Sequence, residues 1–317
     1  MTIKTYDIDV ILRDLEEDPA GDIIRWEKDY QNQVAKVAEF IAGNKEKSPV
    51  VLLAGPSASS KTSTAGRIRD RLSEMGIGAH LLSMDNYYLD RDTADYPTLP
   101  DGSPDLESPD CLDMALLDEH FSTLERGEDI YVPEYDFYTK KRLPGTGKFM
   151  DAEQGDVFIF EGIHALNERF GASHPDAARI YVSPEISFTR KGELFCSPVQ
   201  LRLMRRIVRD HQFRDATAEY SLSLWGNVIA SEARNIVPYQ ATANCTVSTA
   251  LPYEIGVLKR FVAPLIEDLP RNVPCRDQVD GIRQLLKYVP KLNPAWVPED
   301  SILREFIGPK PAPKEES

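Results

Sequence analysis

Lys61 and Thr62 close a run of small residues, Gly55-Pro56-Ser57-Ala58-Ser59-Ser60, that follows the apolar stretch Val50-Val51-Leu52-Leu53-Ala54. A short apolar run that begins β-branched reads as a fully buried strand. The small residues after it let the backbone curl, so that several N–H groups point at one anion. Lysine adds a point charge for the β- and γ-phosphates of a nucleotide, and the threonine hydroxyl is a ligand for Mg²⁺. Residues 64–75 carry a helical pattern, which turns a helix N-terminus toward the same anion. The spacing is that of a P-loop with one departure. Ser60 stands where the motif has glycine, the residue that allows phosphate to approach the backbone closely. Serine keeps the N–H and adds a small hydroxyl. The bland alternative is an ordinary strand–loop–helix; the order of strand, Gly55, Lys61-Thr62 and helix favours the phosphate loop.

Two carboxylates stand at the ends of further strands. Asp85 follows the strand expected at 79–84, and Glu161 follows the one at 156–160. In open α/β sheets, ligand groups gather at the carboxyl ends of strands. Asp85 is therefore a candidate base for a hydroxyl proton or a group that orients Mg²⁺, against the alternative of a simple turn cap. Glu161 has the look of a Walker-B-like metal position. His164, close behind it, reads as structural.

Arg202, Arg205, Arg206 and Arg209 recur at helical spacing, with Arg214 beyond them, while Leu203, Ile207 and Val208 supply the apolar side. Guanidinium groups suit phosphate binding and offset charge that builds during phosphoryl transfer. The other reading is a solvated face paired with neighbouring carboxylates. Between 130 and 149 aromatic, basic and turn residues alternate, which predicts a partly exposed β-hairpin. Its aromatics either stack on a planar ligand or merely pack. A single-stranded nucleic acid strip is a third reading, which the overall charge disfavours.

The surrounding chain must position these groups. Its 317 residues can bury a large core, and its net charge of −14 argues against nucleic acid or an anionic membrane as partner. Cys111, Cys196, Cys245 and Cys275 are scattered, without a CxxC pair, and read as thiols of a reducing compartment. No apolar run approaches ~18 residues, so a soluble cytoplasmic protein is expected. Residues 6–15 and 23–42 carry helical spacing and predict a helical extension over 1–48 lying on the core. Helices are also expected at 112–126, 251–269 and 277–288, and strands at 179–182 and 244–249. Residues 90–110 read as a surface loop. A Pro-rich tail over 290–317 carries a short docked helix near 301–307 and a disordered end from 308.

The stretches GPSASSKT from Gly55, SMDNYY from Ser83, YDFYTKKR from Tyr135, FEGI from Phe160 and RLMRRIVRD from Arg202 match a known pattern in order and spacing. They resemble the uridine kinase branch of the uridine kinase/phosphoribulokinase family of P-loop kinases, and within it a bacterial uridine kinase-like subgroup. The resemblance spans about residues 50 to 307. It implies a P-loop NTPase-type three-layer α/β sandwich with a mostly parallel sheet over 49–289, and ATP and Mg²⁺ as cofactors. It implies that Gly55, Ser57, Ala58, Ser59, Ser60, Lys61, Thr62 and Thr64 hold the ATP phosphates, with Arg206 and Arg214. Thr62 and Glu161 would serve Mg²⁺. Asp85 would accept the proton of a nucleoside 5′-hydroxyl, with Lys61, Arg205 and Arg209 stabilising charge. Tyr88, Glu107, Tyr135, Phe137, Lys140 and Arg202 would contact the acceptor, a small molecule, with uridine or cytidine first. Lys140 replaces a histidine of the family pattern, Glu107 an aspartate, and Leu106 an aromatic residue. Two further classes stay open: a kinase of another small alcohol, such as a sugar phosphate or pantothenate-like compound, and a catalytically silent nucleotide-binding regulator. A homo-oligomer is compatible with all of them.

Overall fold

Every residue of strand β2 (Val50–Ala54) is buried, and its side chains alternate between two cores. Val51 and Leu53 join one apolar cluster; Val50, Leu52 and Ala54 join the other. This two-residue period is what a strand covered on both faces requires. The computed structural model describes residues 4–310 apart from 93, 94 and 100. Residues 311–317 of the expected disordered tail lie outside the described residues.

Strand β2 is central in a five-stranded parallel sheet. Strands β8 (Val157–Glu161) and then β3 (Ala79–Ser83) lie on one side of it. On the other lie β9 (Ala178–Ser183) and then β12 (Cys245–Ser248). The chain leaves β2 through α3 (Lys61–Glu74) and skips over β8 to reach β3. The carboxyl end of β2 is thus a topological switch point, where ligands bind in open sheets.

Helices α1 (Ile8–Glu17), α2 (Pro19–Asn44), α3, α6 (Pro198–Phe213), α7 (Ala218–Asn235), α8 (Glu254–Glu267) and α9 (Arg276–Tyr288) supply residues to the first core. The second lies under α4 (Met114–Glu125), a strand β4 (Ile130–Val132) and α5 (Glu168–Ser173). Helices therefore cover both faces of the sheet, which is the expected three-layer α/β sandwich.

The N-terminal helices α1 and α2 pack on that core. Ile23, Trp26, Tyr30, Val34, Val37 and Ile41 form one buried face of α2 at spacings of three and four. Asp18 makes the corner between α1 and α2: its amide donates to the Asp14 carbonyl, and its carboxylate accepts from the Gly21 amide at 3.0 Å. Sequence patterning missed β1 (Lys4–Asp7), which pairs in parallel with β10 (Ile186–Arg190), itself antiparallel to β11 (Glu193–Cys196). It also left α7 unread.

The expected hairpin is present as two nested pairs. Strand β4 pairs with β7 (Lys148–Met150), and β5 (Tyr135–Asp136) pairs with β6 (Lys141–Arg142). The short C-terminal helix α10 (Arg304–Ile307) docks through Phe306 and Ile307, both buried. Among the described residues no helix is long and apolar enough to cross a membrane.

Candidate active site

The loop between β2 and α3 is held by close packing beneath it. A Cβ on Gly55 would stand 1.9 Å from the Val182 carbonyl oxygen on β9, so only glycine fits. Ala58 and Ser60 take left-handed backbone, with φ of 59° and 62°. Ser60 is the residue before α3, and its hydroxyl is buried without a partner among the described residues, as is that of Ser59. Left-handed backbone costs an L-residue about 1–2 kcal/mol. Ser60→Gly removes that strain and the orphan hydroxyl at the expense of about 0.5–1 kcal/mol of chain entropy. The substitution should stabilise the protein by up to about 1 kcal/mol, seen as a higher urea midpoint. A lowered midpoint would mean that the serine side chain is held by contacts of its own.

A cavity of about 600 Å³ opens at this carboxyl edge. The structure brings together along its wall Ser57, Ala58, Lys61, Thr62, Asp85, Tyr88, Glu107, Phe137, Glu161, Arg206, Arg209 and Arg214 from the sequence expectation. Glu161 ends β8 and is buried; one carboxylate oxygen accepts from Thr62 Oγ1 at 3.0 Å and from Ser83 Oγ at 3.2 Å. Register makes this possible, since Glu161 lies opposite both Leu53 and Ser83 in the sheet. Lys61 Nζ rests against the Pro56 carbonyl at 3.2 Å.

Asp85 lies in a short 3₁₀ turn (Met84–Tyr87) after β3, its amide donating to Ser83 Oγ at 3.3 Å. Its carboxylate opens into the space of the cleft, but the walls around it still thin the solvent. That enclosure raises its pKa above the usual carboxylate value, opposed by Lys61 and Arg214. Burial likewise raises Glu161 and Glu107 and lowers Lys61. Gly162 lets the strand ends crowd together, since a Cβ there would meet the Met84 Cβ at 2.8 Å.

The aromatic side of the cleft is a three-ring cluster. Tyr88 meets Tyr135 and Phe137 with ring centroids 5.5 and 5.7 Å apart, and Tyr135 meets Phe137 at 5.0 Å. Tyr88 and Phe137 face the cavity, whereas Tyr135 is buried behind them. Arg142 fastens the hairpin to the turn that carries Asp85. Its guanidinium donates to the carbonyls of Tyr87 and Tyr88 at 2.9 and 3.0 Å and to Asp113 at 3.0 Å. Lys140, expected at the acceptor, sits instead on the hairpin turn with φ of 60°, exposed and away from the cavity wall. The tight turn points it outward.

The arginine stripe divides in two. Arg206, Arg209 and Arg214 line the cavity and share one buried carboxylate, Asp210, at 3.3, 3.7 and 3.2 Å. Arg206 also donates to Ser57 Oγ at 3.1 Å. Arg202 and Arg205 lie behind the loop. Arg202 makes two bonds to Glu232 of α7, at 2.7 and 2.8 Å, and one to the Ser57 carbonyl at 3.1 Å. Arg205 is fully buried and binds both oxygens of the equally buried Glu254, at 2.7 and 2.9 Å, with further bonds to Thr249 and the Ala58 carbonyl. The expectation that Arg205 acts in catalysis and Arg202 on the acceptor is corrected on that ground: their donors are spent bracing the phosphate loop. The expected phosphate contact of Thr64 is corrected as well, because its hydroxyl is buried against the Tyr30 hydroxyl of α2 at 3.0 Å.

His164 is buried, with no well-formed hydrogen bond to either ring nitrogen among the described residues, and burial, opposed by the Glu107 backbone, pushes its pKa down to about 4, so it is neutral. Glu232, Glu254 and Ser83 were not singled out by sequence reasoning. Only Asp210 carried a signal, four residues after Arg206 on the same helix face.

The Phosphoribulokinase / Uridine kinase family matches residues 50–250 of the chain. The chain belongs to that family. Its curated relatives include a uridine kinase of Macrococcus caseolyticus (strain JCSC5402), 30% identical over 183 residues, which are 58% of this chain and 79% of that protein. A uridine kinase of Ureaplasma urealyticum serovar 10 is 28% identical over 211 residues, covering 63% of this chain and 88% of the relative. Among solved structures, a D-glycerate 3-kinase from Cryptococcus neoformans var. grubii serotype A is 16% identical. It covers 82% of this chain and 86% of its own, with a TM-score of 0.34. Family membership supports phosphotransferase chemistry.

Proposed function

We propose that the chain is an ATP- and Mg²⁺-dependent small-molecule kinase that transfers a phosphoryl group to the 5′-hydroxyl of a nucleoside, uridine or cytidine. The observation that carries this is the meeting of Lys61, Thr62, Glu161, Asp85 and three arginines around one cavity at the end of β2. The phosphate loop amides and Lys61 hold the donor's phosphates. Arg206, Arg209 and Arg214, which line the same cavity, supply positive charge for the transferring group. Asp85 takes the hydroxyl proton, and Tyr88 and Phe137, whose rings meet edge to face, give aromatic surface against which a planar base packs.

The oxygen donors of Thr62 and Glu161 suit Mg²⁺. Mg²⁺ is commonly bound through one or two protein oxygens plus substrate phosphates, and Thr62 Oγ1 and the Glu161 carboxylate lie side by side at 3.0 Å. When bound, the ion neutralises phosphate charge; the protein's own part is to place Thr62 and Glu161 beside the loop.

Glu107 lines the acceptor side, and its carbonyl is fixed by Ser231 Oγ of α7 at 2.9 Å. A carboxylate there accepts from sugar hydroxyls. The uridine kinases among the relatives support the nucleoside assignment. The test is ADP release with Mg·ATP against a panel of nucleosides, sugars, sugar phosphates and vitamin precursors. Stimulation by uridine or cytidine is expected. Stimulation only by another alcohol moves the acceptor and keeps the chemistry. ATP binding without stimulation by any acceptor overturns the reading in favour of a nucleotide-binding regulator.

A further inference from the structure

We propose that Glu305, on the C-terminal helix α10, is a positioning residue for phosphoryl transfer, holding Arg209 and the first turn of the phosphate-loop helix in their working places. This rests on the reading of the cleft given above. It concerns a segment outside residues 50–250, the part that the family pattern matches.

Glu305 joins two parts of the cleft. One carboxylate oxygen lies 3.5 Å from Arg209 Nη1, and the other accepts from Ser63 Oγ at 2.6 Å. Ser63 follows Thr62 directly in the first turn of α3. Arg209 is largely out of solvent, and burial together with the Arg214 charge weakens its hold on a proton, opposed by Glu305 and Asp210. Asp210 is shared with Arg206 and Arg214 and lies farther from Arg209, at 3.7 Å. Glu305 is the nearer counter-charge of the two. An anchored carboxylate at ion-pair distance from Nη1 draws the guanidinium toward it by charge and leaves the donors free for the phosphoryl group.

The segment that delivers Glu305 is rigidly seated. Ile302, Leu303, Phe306 and Ile307 are buried. Gln212 of α6 donates to the Phe306 carbonyl at 3.1 Å, and the Arg205 guanidinium lies over the Phe306 ring at 5.0 Å. Arg304 folds back onto the carbonyls of Pro294 and Pro298 at 2.8 and 3.1 Å. The carboxylate is therefore carried by an element anchored on α6, the helix that bears Arg209.

The competing explanation is that Glu305 merely ties down the chain end. Glu305→Gln separates the two, because it keeps the shape and the acceptor for Ser63 but removes the charge. With the best acceptor of the panel, kcat of Glu305→Gln should fall ~10-fold, with KM for Mg·ATP within about twofold, since an oriented guanidinium acts on the developing charge. The thermal midpoint should stay near that of the wild type. In an Arg209→Ala background the same change should add less than about twofold, because both act through one group. A kcat within twofold of wild type, or a full tenfold loss added on top of Arg209→Ala, would overturn the proposal. If Arg209→Ala itself leaves turnover unchanged, the cleft reading fails, and this inference with it.

Discussion

Asp85→Asn should lower turnover ~10²–10⁴-fold while Mg·ATP still binds within a few-fold of wild type. Asparagine keeps the shape and the local turn but cannot take a proton from the acceptor hydroxyl. The phosphate loop, Lys61 and the arginines would be untouched, so donor binding survives. The pH profile gives a second reading of the same group. Its pKa is raised by the enclosing walls, and the proposed base role requires the ionised form. Activity should therefore be present above that raised pKa and lost as pH falls through it, with an acid limb above the ordinary aspartate value of about 3.9. In Asp85→Asn that limb should be gone from kcat/KM. A variant with near-wild-type turnover would remove Asp85 from the chemistry.

Arg205→Ala should cost about 3–5 kcal/mol of folding stability, because it leaves the fully buried Glu254 carboxylate without its partner. The loss would be read as a lowered urea midpoint at unchanged slope. Replacing both members by apolar residues of similar size, Arg205→Met with Glu254→Leu, should cost less than the single change, since no charge is stranded. This sets Arg205 apart from Arg209, four positions on, which lines the cleft. A stability loss under about 1 kcal/mol together with a hundredfold fall in kcat would return Arg205 to the catalytic group.

The phosphate loop, Asp85 and Glu161 were legible in the sequence because each is a local event, a residue at the end of an apolar run. Strand order then brings them to one edge, and the hydrogen bond from Thr62 to Glu161 follows from the pairing of β2 with β8. The arginine stripe was legible as a stripe, but its division was not. Whether a guanidinium faces the cleft or the core depends on partners brought by distant segments: Glu232 on α7, Glu254 at the start of α8 and Glu305 on α10. Helical spacing carries no trace of them. Lys140 was placed at the acceptor by the resemblance alone; the left-handed residue at the hairpin turn carries it away from the cavity wall. Strand β1 was hidden because its partner β10 lies far along the chain.

The most direct test of phosphoryl transfer in this cleft is ³¹P NMR of the reaction with Mg·ATP and the best acceptor of the panel. The account predicts ADP and a new phosphate monoester in equal amounts, with both formed ~10²–10⁴-fold more slowly in Asp85→Asn. ADP accompanied only by inorganic phosphate, or ATP left intact while bound, would contradict it.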